Sequence, residues 1–118
     1  MRRTRVYVAG PLSTGGTYEQ VCDNIKKAIE MGEALLSAGY APYIPHYTHY
    51  WNLIFTHSWE EWMDHDKAWV LASDALLRLP GPSRGADQEV AWANAAGIPV
   101  FDNVLSLMQH MPLTTAVS

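Results

Sequence analysis

Residues 83–89, SRGADQE, have the composition of a ligand-binding turn that opens a helix. They follow a short apolar run and a Pro-Gly-Pro turn, and an alanine-rich segment comes after them. The first backbone N–H groups of a helix have no intrahelical partner, so this turn could bind an anion or a polar ligand. Ser83 is predicted to cap the helix, and Gly85 would let a ligand approach the backbone closely. Glu89 follows near the mouth of that site, where a catalytic carboxylate could stand.

A second carboxylate, Asp66, interrupts an aromatic face. At helical spacing it shares that face with Trp59, Trp62 and Trp69. Burying an unpaired carboxylate costs on the order of several kcal/mol, so Asp66 needs either a partner, such as an arginine, or a function. Glu89 has a comparable alternative, a solvated position stabilised by the helix dipole. Two carboxylates on otherwise apolar faces favour a functional pair.

The loop after the first predicted strand is rich in glycine and hydroxyl side chains. Its candidate ligand-binding residues are Gly10, Ser13, Thr14, Gly15 and Gly16. Backbone N–H groups in such a loop suit a phosphate or a ribose. The loop has neither the lysine of a P-loop nor the G-x-G-x-x-G fingerprint, and a flexible surface turn is the alternative.

Three histidines, His46, His49 and His57, lie in a segment that is also rich in aromatic residues. They lack the spacing of H-E-x-x-H sites and have no nearby cysteine, so they are predicted to form the polar lining of a pocket rather than a zinc site. The aromatic side chains could stack on a planar base or pack over the sheet. We expect no metal and no cofactor.

The apolar periodicity along the chain predicts alternating strands and helices. Strands are predicted at residues 5–9, 41–44, 74–79 and 98–101. Helices are predicted at residues 17–38, 58–72, 85–96 and 104–111, with an irregular loop at 46–57. This order predicts an α/β fold in which helices cover both faces of a small, mainly parallel sheet. Ligands of such sheets bind beyond the carboxyl ends of the strands, where the loops with the candidate residues are expected to meet.

Composition narrows the class of protein. The 118 residues, 48% hydrophobic and 17% charged, predict one globular domain over residues 1–118. The net charge of −4 argues against nucleic-acid binding. A single cysteine, Cys22, favours a reducing, cytoplasmic setting. The apolar run near the N-terminus stops at Gly10, which is too short for a signal peptide or a membrane span.

Three blocks in chain order resemble the nucleoside 2-deoxyribosyltransferases and their relatives, the nucleoside 5′-monophosphate N-glycosidases. The blocks are VYVAGP at residues 6–11, Asp66 followed by Asp74, and an S-x-G-x-x-x-E pattern from Ser83 to Glu89. The resemblance covers residues 4–101. It implies a flavodoxin-like, Rossmann-like three-layer fold and cleavage of the N-glycosidic bond of a nucleoside or nucleotide without metal or cofactor.

The resemblance also implies roles for individual residues. Glu89 matches the nucleophile that attacks the anomeric carbon, and Asp66 matches the carboxylate that contacts the base or helps to protonate it. Tyr7 matches the tyrosine that positions the nucleophile. Ser83 and the loop at residues 10–16 lie where the sugar or 5′-phosphate is held.

Two questions stay open at the level of the sequence. The transferases of this family have a longer C-terminal region than the one that follows Met111 here, so hydrolysis competes with transfer to another base. A non-catalytic nucleotide-binding module is the contrasting class.

A homo-oligomer, most simply a dimer, is also expected. The aromatic segment from Tyr40 to Trp69 has more apolar surface than one small sheet can cover. Trp59, Trp62 and Trp69 are the preferred contacts.

Overall fold

Four parallel strands form the sheet in the part of the chain that the computed structural model describes, residues 2–13 and 16–113. The strands are β1 (Arg5–Ala9), β2 (Ala41–Tyr43), β3 (Ala75–Arg78) and β4 (Val100–Phe101). Their order across the sheet is β2-β1-β3-β4, and every neighbouring pair is parallel. The predicted parallel sheet is confirmed. Strands two to four are shorter than predicted because their apolar pattern continues into the adjoining turns.

Helices cover both faces of this sheet, as an alternating strand pattern requires. The helices are α1 (Tyr18–Ser37), α2 (Thr48–Ile54), α3 (Trp59–Leu71), α4 (Arg84–Ala95) and α5 (Val104–His110), with one 3-10 turn at Pro45–Tyr47. Alternate residues of β1 point to opposite faces. Val6 and Val8 share a core with α1 and α5, whereas Tyr7 and Ala9 share one with α3 and α4. The three-layer, flavodoxin-like architecture is therefore confirmed.

Local signals in the sequence set the helix boundaries. The side chains of Thr17, Ser58 and Ser83 each accept a backbone N–H bond at the start of α1, α3 and α4. Ser58 and Glu61 form a capping box, in which each side chain bonds the other residue's backbone N–H. Gly39 has a φ of 102°, the left-handed conformation that suits glycine after a helix. These caps fix where α3 and α4 begin, and thus where their first turns meet the sheet edge.

The prediction of an irregular loop at residues 46–57 is wrong. The chain forms the 3-10 turn from Pro45 and then α2, which has no buried residue. Sequence patterns identify a helix by an apolar face that packs on the core. In α2 the polar side chains of Thr48, His49 and Asn52 face inward to a cavity, and large apolar side chains face outward. The apolar side chains nevertheless have helical spacing, with Tyr47, Tyr50, Trp51 and Ile54 at i, i+3, i+4 and i+7, so the error came from the aromatic and histidine-rich composition of the segment and not from a missing period.

Candidate active site

Glu89 lies in the second turn of α4, buried against the sheet with 5% of its surface exposed. The hydroxyl of Tyr7 on β1 donates a hydrogen bond to Glu89 Oε2 at 2.5 Å. Two small neighbours on the same helix face, Ala86 and Ala93, are fully packed and let α4 approach β1 closely. The predicted small-residue face of α4 thus brings a carboxyl and a phenol into short contact below the strand ends.

The environment of Glu89 disfavours its ionised form. Burial is the main cause, and together with the nearby Asp66 it raises the pKa of Glu89 from 4.5 to about 8. The hydrogen bond from Tyr7 and the charge of Arg78 act in the opposite direction but do not offset burial. Burial and the two carboxylates raise the pKa of Tyr7 well above its usual range, so its hydroxyl remains a hydrogen-bond donor. A carboxyl that titrates near neutral pH in a cavity is typical of functional sites.

Asp66 on α3 is the second buried carboxylate, with 7% of its surface exposed. Burial is the main cause that raises its pKa, and the neighbouring His65, whose Nδ1 lies 3.2 Å from Asp66 Oδ1, acts to lower it. Its partners are therefore the side chains of His65 and Tyr7, and not the arginine that the sequence left open. Asp74 has a different position: it pairs with Arg2 at 2.7 Å and accepts a bond from the N–H of Arg5, where β1 begins. Of the two aspartates in the motif, only Asp66 reaches this site.

A cavity of about 530 Å³ opens beside these carboxylates at the carboxyl ends of the strands. The predicted site residues that line it are Gly10, Ser13, Asp66, Ser83, Gly85 and Glu89. Tyr7 is fully buried and holds Glu89 from below. Gly16 does not line the cavity: its N–H donates to the carbonyl of Ser13 at 3.0 Å, and its φ is 74°. The predicted ligand-binding residues Thr14 and Gly15 lie outside the described part of the chain.

Tyr7 is held by a short aromatic stack. Its ring lies 5.5 Å from that of Tyr43 on β2, and the ring of Tyr43 lies 5.1 Å from that of Trp69 on α3. Stacked rings of this kind restrict one another and exclude water. The pKa of Tyr43 rises to about 12, chiefly through burial. The stack thus keeps the Tyr7 hydroxyl aimed at Glu89.

The cavity also contains residues that sequence reasoning gave no role. Arg84 places its guanidinium over the ring of Trp59 at 4.3 Å, next to the cap residue Ser83. Asn52 enters the wall from α2, which was predicted as loop. Arg84 stands inside the S-x-G-x-x-x-E block, so its position in the turn was a usable signal. Asn52 carried none, because the sequence does not indicate that the polar side of α2 faces the cavity.

The three histidines also line the cavity, in agreement with the prediction. His46 is 2% exposed, and its Nε2 lies 3.1 Å from the carbonyl oxygen of Pro11, which links the segment after β2 to the loop after β1. Burial lowers the pKa of His46 and favours its neutral form. Within residues 2–13 and 16–113, no cluster of three or more His, Cys, Asp and Glu side chains is placed to hold a metal ion.

Comparison with known proteins identifies the family. Residues 4–102 match the sequence profile of a family described as a domain of unknown function, DUF4406. The chain belongs to the DUF4406 family. The DUF4406 chain is also similar in structure to a 2-deoxyribosyltransferase from the psychrotolerant bacterium Bacillus psychrosaccharolyticus, with a TM-score of 0.62 and 19% sequence identity. The match covers 89% of this chain and 79% of that one.

The resemblance to the 2-deoxyribosyltransferase-like proteins is thereby confirmed, and at this identity the shared feature is the fold. A comparison with curated proteins gave no significant match. Among the described residues of the DUF4406 chain, no helix is both long and apolar enough to cross a membrane.

Proposed function

We propose that this chain is an enzyme that cleaves the N-glycosidic bond of a (2′-deoxy)nucleoside or nucleoside 5′-monophosphate, with Glu89 as the nucleophile. The observation that carries the proposal is the 2.5 Å hydrogen bond from Tyr7 to Glu89 in the wall of a cavity that also contains Asp66. Two carboxyl groups in one cavity supply what cleavage at an anomeric carbon needs, one to attack carbon and one to transfer a proton.

In the proposed reaction, the ionised carboxylate of Glu89 attacks the anomeric carbon. The bond between that carbon and the base nitrogen breaks, its electrons pass to the base, and Asp66 gives the base its proton. The product is a glycosyl ester of Glu89. Water then attacks the anomeric carbon of the ester and gives a proton to the Asp66 carboxylate, which releases the sugar and returns the carboxylate of Glu89. A second base that attacks in the same way, and gives its N–H proton to Asp66, receives the sugar instead.

Tyr7 is proposed to position the nucleophile. Because its hydroxyl donates to Oε2, the other carboxylate oxygen of Glu89 remains available to attack. The same hydrogen bond favours the ionised form against the effect of burial. With a pKa of about 8, Glu89 is ionised in about one free molecule in ten at pH 7. Activity should therefore need a pH high enough to ionise Glu89 and low enough to leave Asp66 protonated.

A 5′-phosphate is proposed to lie between the loop after β1 and the start of α4. Ser13 comes from the loop, Ser83 caps α4, and both line the cavity. Arg84 adds a cation there, held by Trp59, and within the described residues no carboxylate pairs with it. Donors and positive charge at a helix start suit a phosphate dianion.

The decisive experiment is incubation with a panel of nucleosides and their 5′-monophosphates, with and without a second free base, followed by chromatography. Released base would identify a hydrolase, and exchanged base would identify a transferase. Glu89→Gln should abolish either reaction, while Glu30→Gln, which changes an exposed glutamate on α1, should not. Tight binding of a nucleotide without any bond cleavage would overturn the catalytic proposal and leave a binding module.

We also propose a homodimer. The outward side of α2 and the residue after it expose large apolar side chains: Tyr50, Trp51, Leu53, Ile54 and Phe55, each more than half exposed. This surface is a better contact than the predicted α3, whose Trp59 and Trp69 are 44% and 46% exposed. A twofold contact buries such a patch on both copies at once. Sedimentation of the wild type and of Ile54→Glu tests it, since a wild-type monomer at micromolar concentration would refute the dimer.

A further inference from the structure

The side-chain amide of Asn52 has a fixed orientation. Its Oδ1 accepts two hydrogen bonds, from the backbone N–H of His57 and from the indole N–H of Trp62, each at 2.8 Å. Both partners can only donate, so the oxygen of the amide must face them. The Nδ2 group, with two hydrogens, therefore points away from these partners, and among the described residues none accepts a bond from it.

This amide belongs to the cavity wall. Asn52 and Trp62 both line the cavity, together with Asp66 and Glu89. Trp62 and Asp66 are four residues apart on α3, which places them on one face of the helix, about 6 Å apart along its axis. Asn52, bonded to Trp62, is thus one helical turn from the carboxyl that is proposed to serve the leaving base. That spacing is comparable to the width of a nucleobase with its exocyclic groups.

The Nδ2 group of Asn52 has only one hydrogen-bonding role. An Nδ2 group donates hydrogen bonds and cannot accept them. It therefore pairs with a carbonyl oxygen of a base and leaves an amino group at the same position unpaired. The ring of Trp62 is itself held by edge contacts with the rings of Trp51, His57 and His65, at centroid distances of 5.3, 5.3 and 5.7 Å, so the donor that orients the amide is fixed in place. The fixed amide is therefore the group of this wall that can distinguish oxo from amino bases.

We infer that Asn52 is a specificity-determining residue that selects nucleobases with an exocyclic oxygen over those with an amino group at the same position. The inference rests on the proposed function, because it requires that the cavity holds a nucleoside or nucleotide. It adds the class of base, which the catalytic carboxylates do not determine.

Asn52→Asp is the test variant, because a carboxylate accepts both existing bonds and has no hydrogen to donate. Asn94→Asp, on an exposed part of α4, is the matched control for the added negative charge. The substrates are two pairs that differ by oxygen against amino, deoxyinosine with deoxyadenosine and deoxyuridine with deoxycytidine, each also as the 5′-monophosphate. Thermal unfolding of each variant confirms that the fold is kept.

The wild type and Asn94→Asp should prefer the oxo member of at least one pair, and Asn52→Asp should lower that oxo-to-amino ratio of kcat/KM by about tenfold or more. Binding is measured in parallel through tryptophan fluorescence, on the Glu89→Gln background so that no turnover intervenes. A tenfold shift in the binding ratio without any turnover would support the role of Asn52 and refute the proposed reaction. Turnover with an unchanged ratio would refute the role of Asn52 alone. Failure of the wild type to bind any of these compounds would refute both.

Discussion

Replacement of Glu89 by glutamine should stabilise the protein, and more so as the pH rises. In the unfolded chain this carboxyl titrates near 4.5, and in the folded protein near 8. Between these values the folded state binds one more proton than the unfolded state, so the free energy of unfolding falls as pH rises. The penalty is absent below the unfolded pKa and complete above the folded one. Glutamine carries no charge at any of these pH values and escapes it.

The size of the effect follows from the two pKa values. One unit of pKa corresponds to about 1.4 kcal/mol, so ionising Glu89 in the folded protein costs roughly 4–5 kcal/mol more than in the unfolded chain. Part of this penalty is already present at pH 5, so the stability of Glu89→Gln relative to wild type should increase by about 4 kcal/mol between pH 5 and pH 9. Any constant cost of the substitution, such as a weaker bond from Tyr7, cancels in this comparison of two pH values.

Urea unfolding followed by tryptophan fluorescence measures this directly, at one-unit steps from pH 5 to pH 9. Glu30→Gln is the control, since it makes the same replacement at an exposed position of α1. If the free energies of unfolding of Glu89→Gln and wild type differed by the same amount at every pH, Glu89 would ionise near its ordinary pKa. The argument from burial, and with it the expected pH dependence of activity, would then be refuted.

The remaining predictions concern catalysis. In wild type, kcat/KM should have a bell-shaped dependence on pH, because Glu89 must be ionised to attack and Asp66 must be protonated to give the base its proton. Tyr7→Phe should move the limb that reports Glu89 to higher pH and lower kcat/KM at pH 7 by about tenfold, because it removes a bond that favours the carboxylate. A pH profile that does not move would contradict the positioning role of Tyr7. Asp66→Asn should lose most activity with poor leaving bases and least with activated ones, and equal losses would indicate a structural role. Arg84→Gln should lower kcat/KM for 5′-monophosphates by about tenfold and leave nucleosides unchanged, which steady-state kinetics on matched pairs would show.

The layers of the fold and the positions of Glu89 and Asp66 at one edge of the sheet could be predicted from the sequence for one physical reason. Where an element packs an apolar face on the core, its period is visible, and a charged residue on that face stands out. Glu89 among alanines and Asp66 among tryptophans are such cases, and both are buried at the cavity. The cap Ser83 was visible too, because capping depends on residues close in sequence.

What could not be predicted depends on side-chain pairings that only the folded chain makes. The apolar side of the helix at Thr48–Ile54 faces solvent and its polar side lines the cavity, so its apolar spacing did not mark a core-facing element. Asp66 pairs with its sequence neighbour His65, although adjacent residues on a helix do not ordinarily face each other. The orientation of Asn52 follows from the N–H groups of His57 and Trp62, five and ten residues away. A pattern read along the chain contains none of these pairings.

The two buried carboxyls, Glu89 and Asp66, make ionisation inside this fold energetically costly. A core with apolar residues in place of Glu89 would avoid the ionisation penalty, and Ala86 and Ala93 show that the helix face is otherwise built for close packing. The phenol of Tyr7 would then lose its acceptor, so the pair forms one unit in which each group satisfies the other. Stability alone does not require a carboxyl whose pKa lies near 8 beside an open cavity. The cost of ionising Glu89 is understandable if its carboxylate is needed to attack an incoming electrophilic carbon. The pH dependence of the stability of Glu89→Gln and the pH profile of activity should then report the same pKa, that of Glu89.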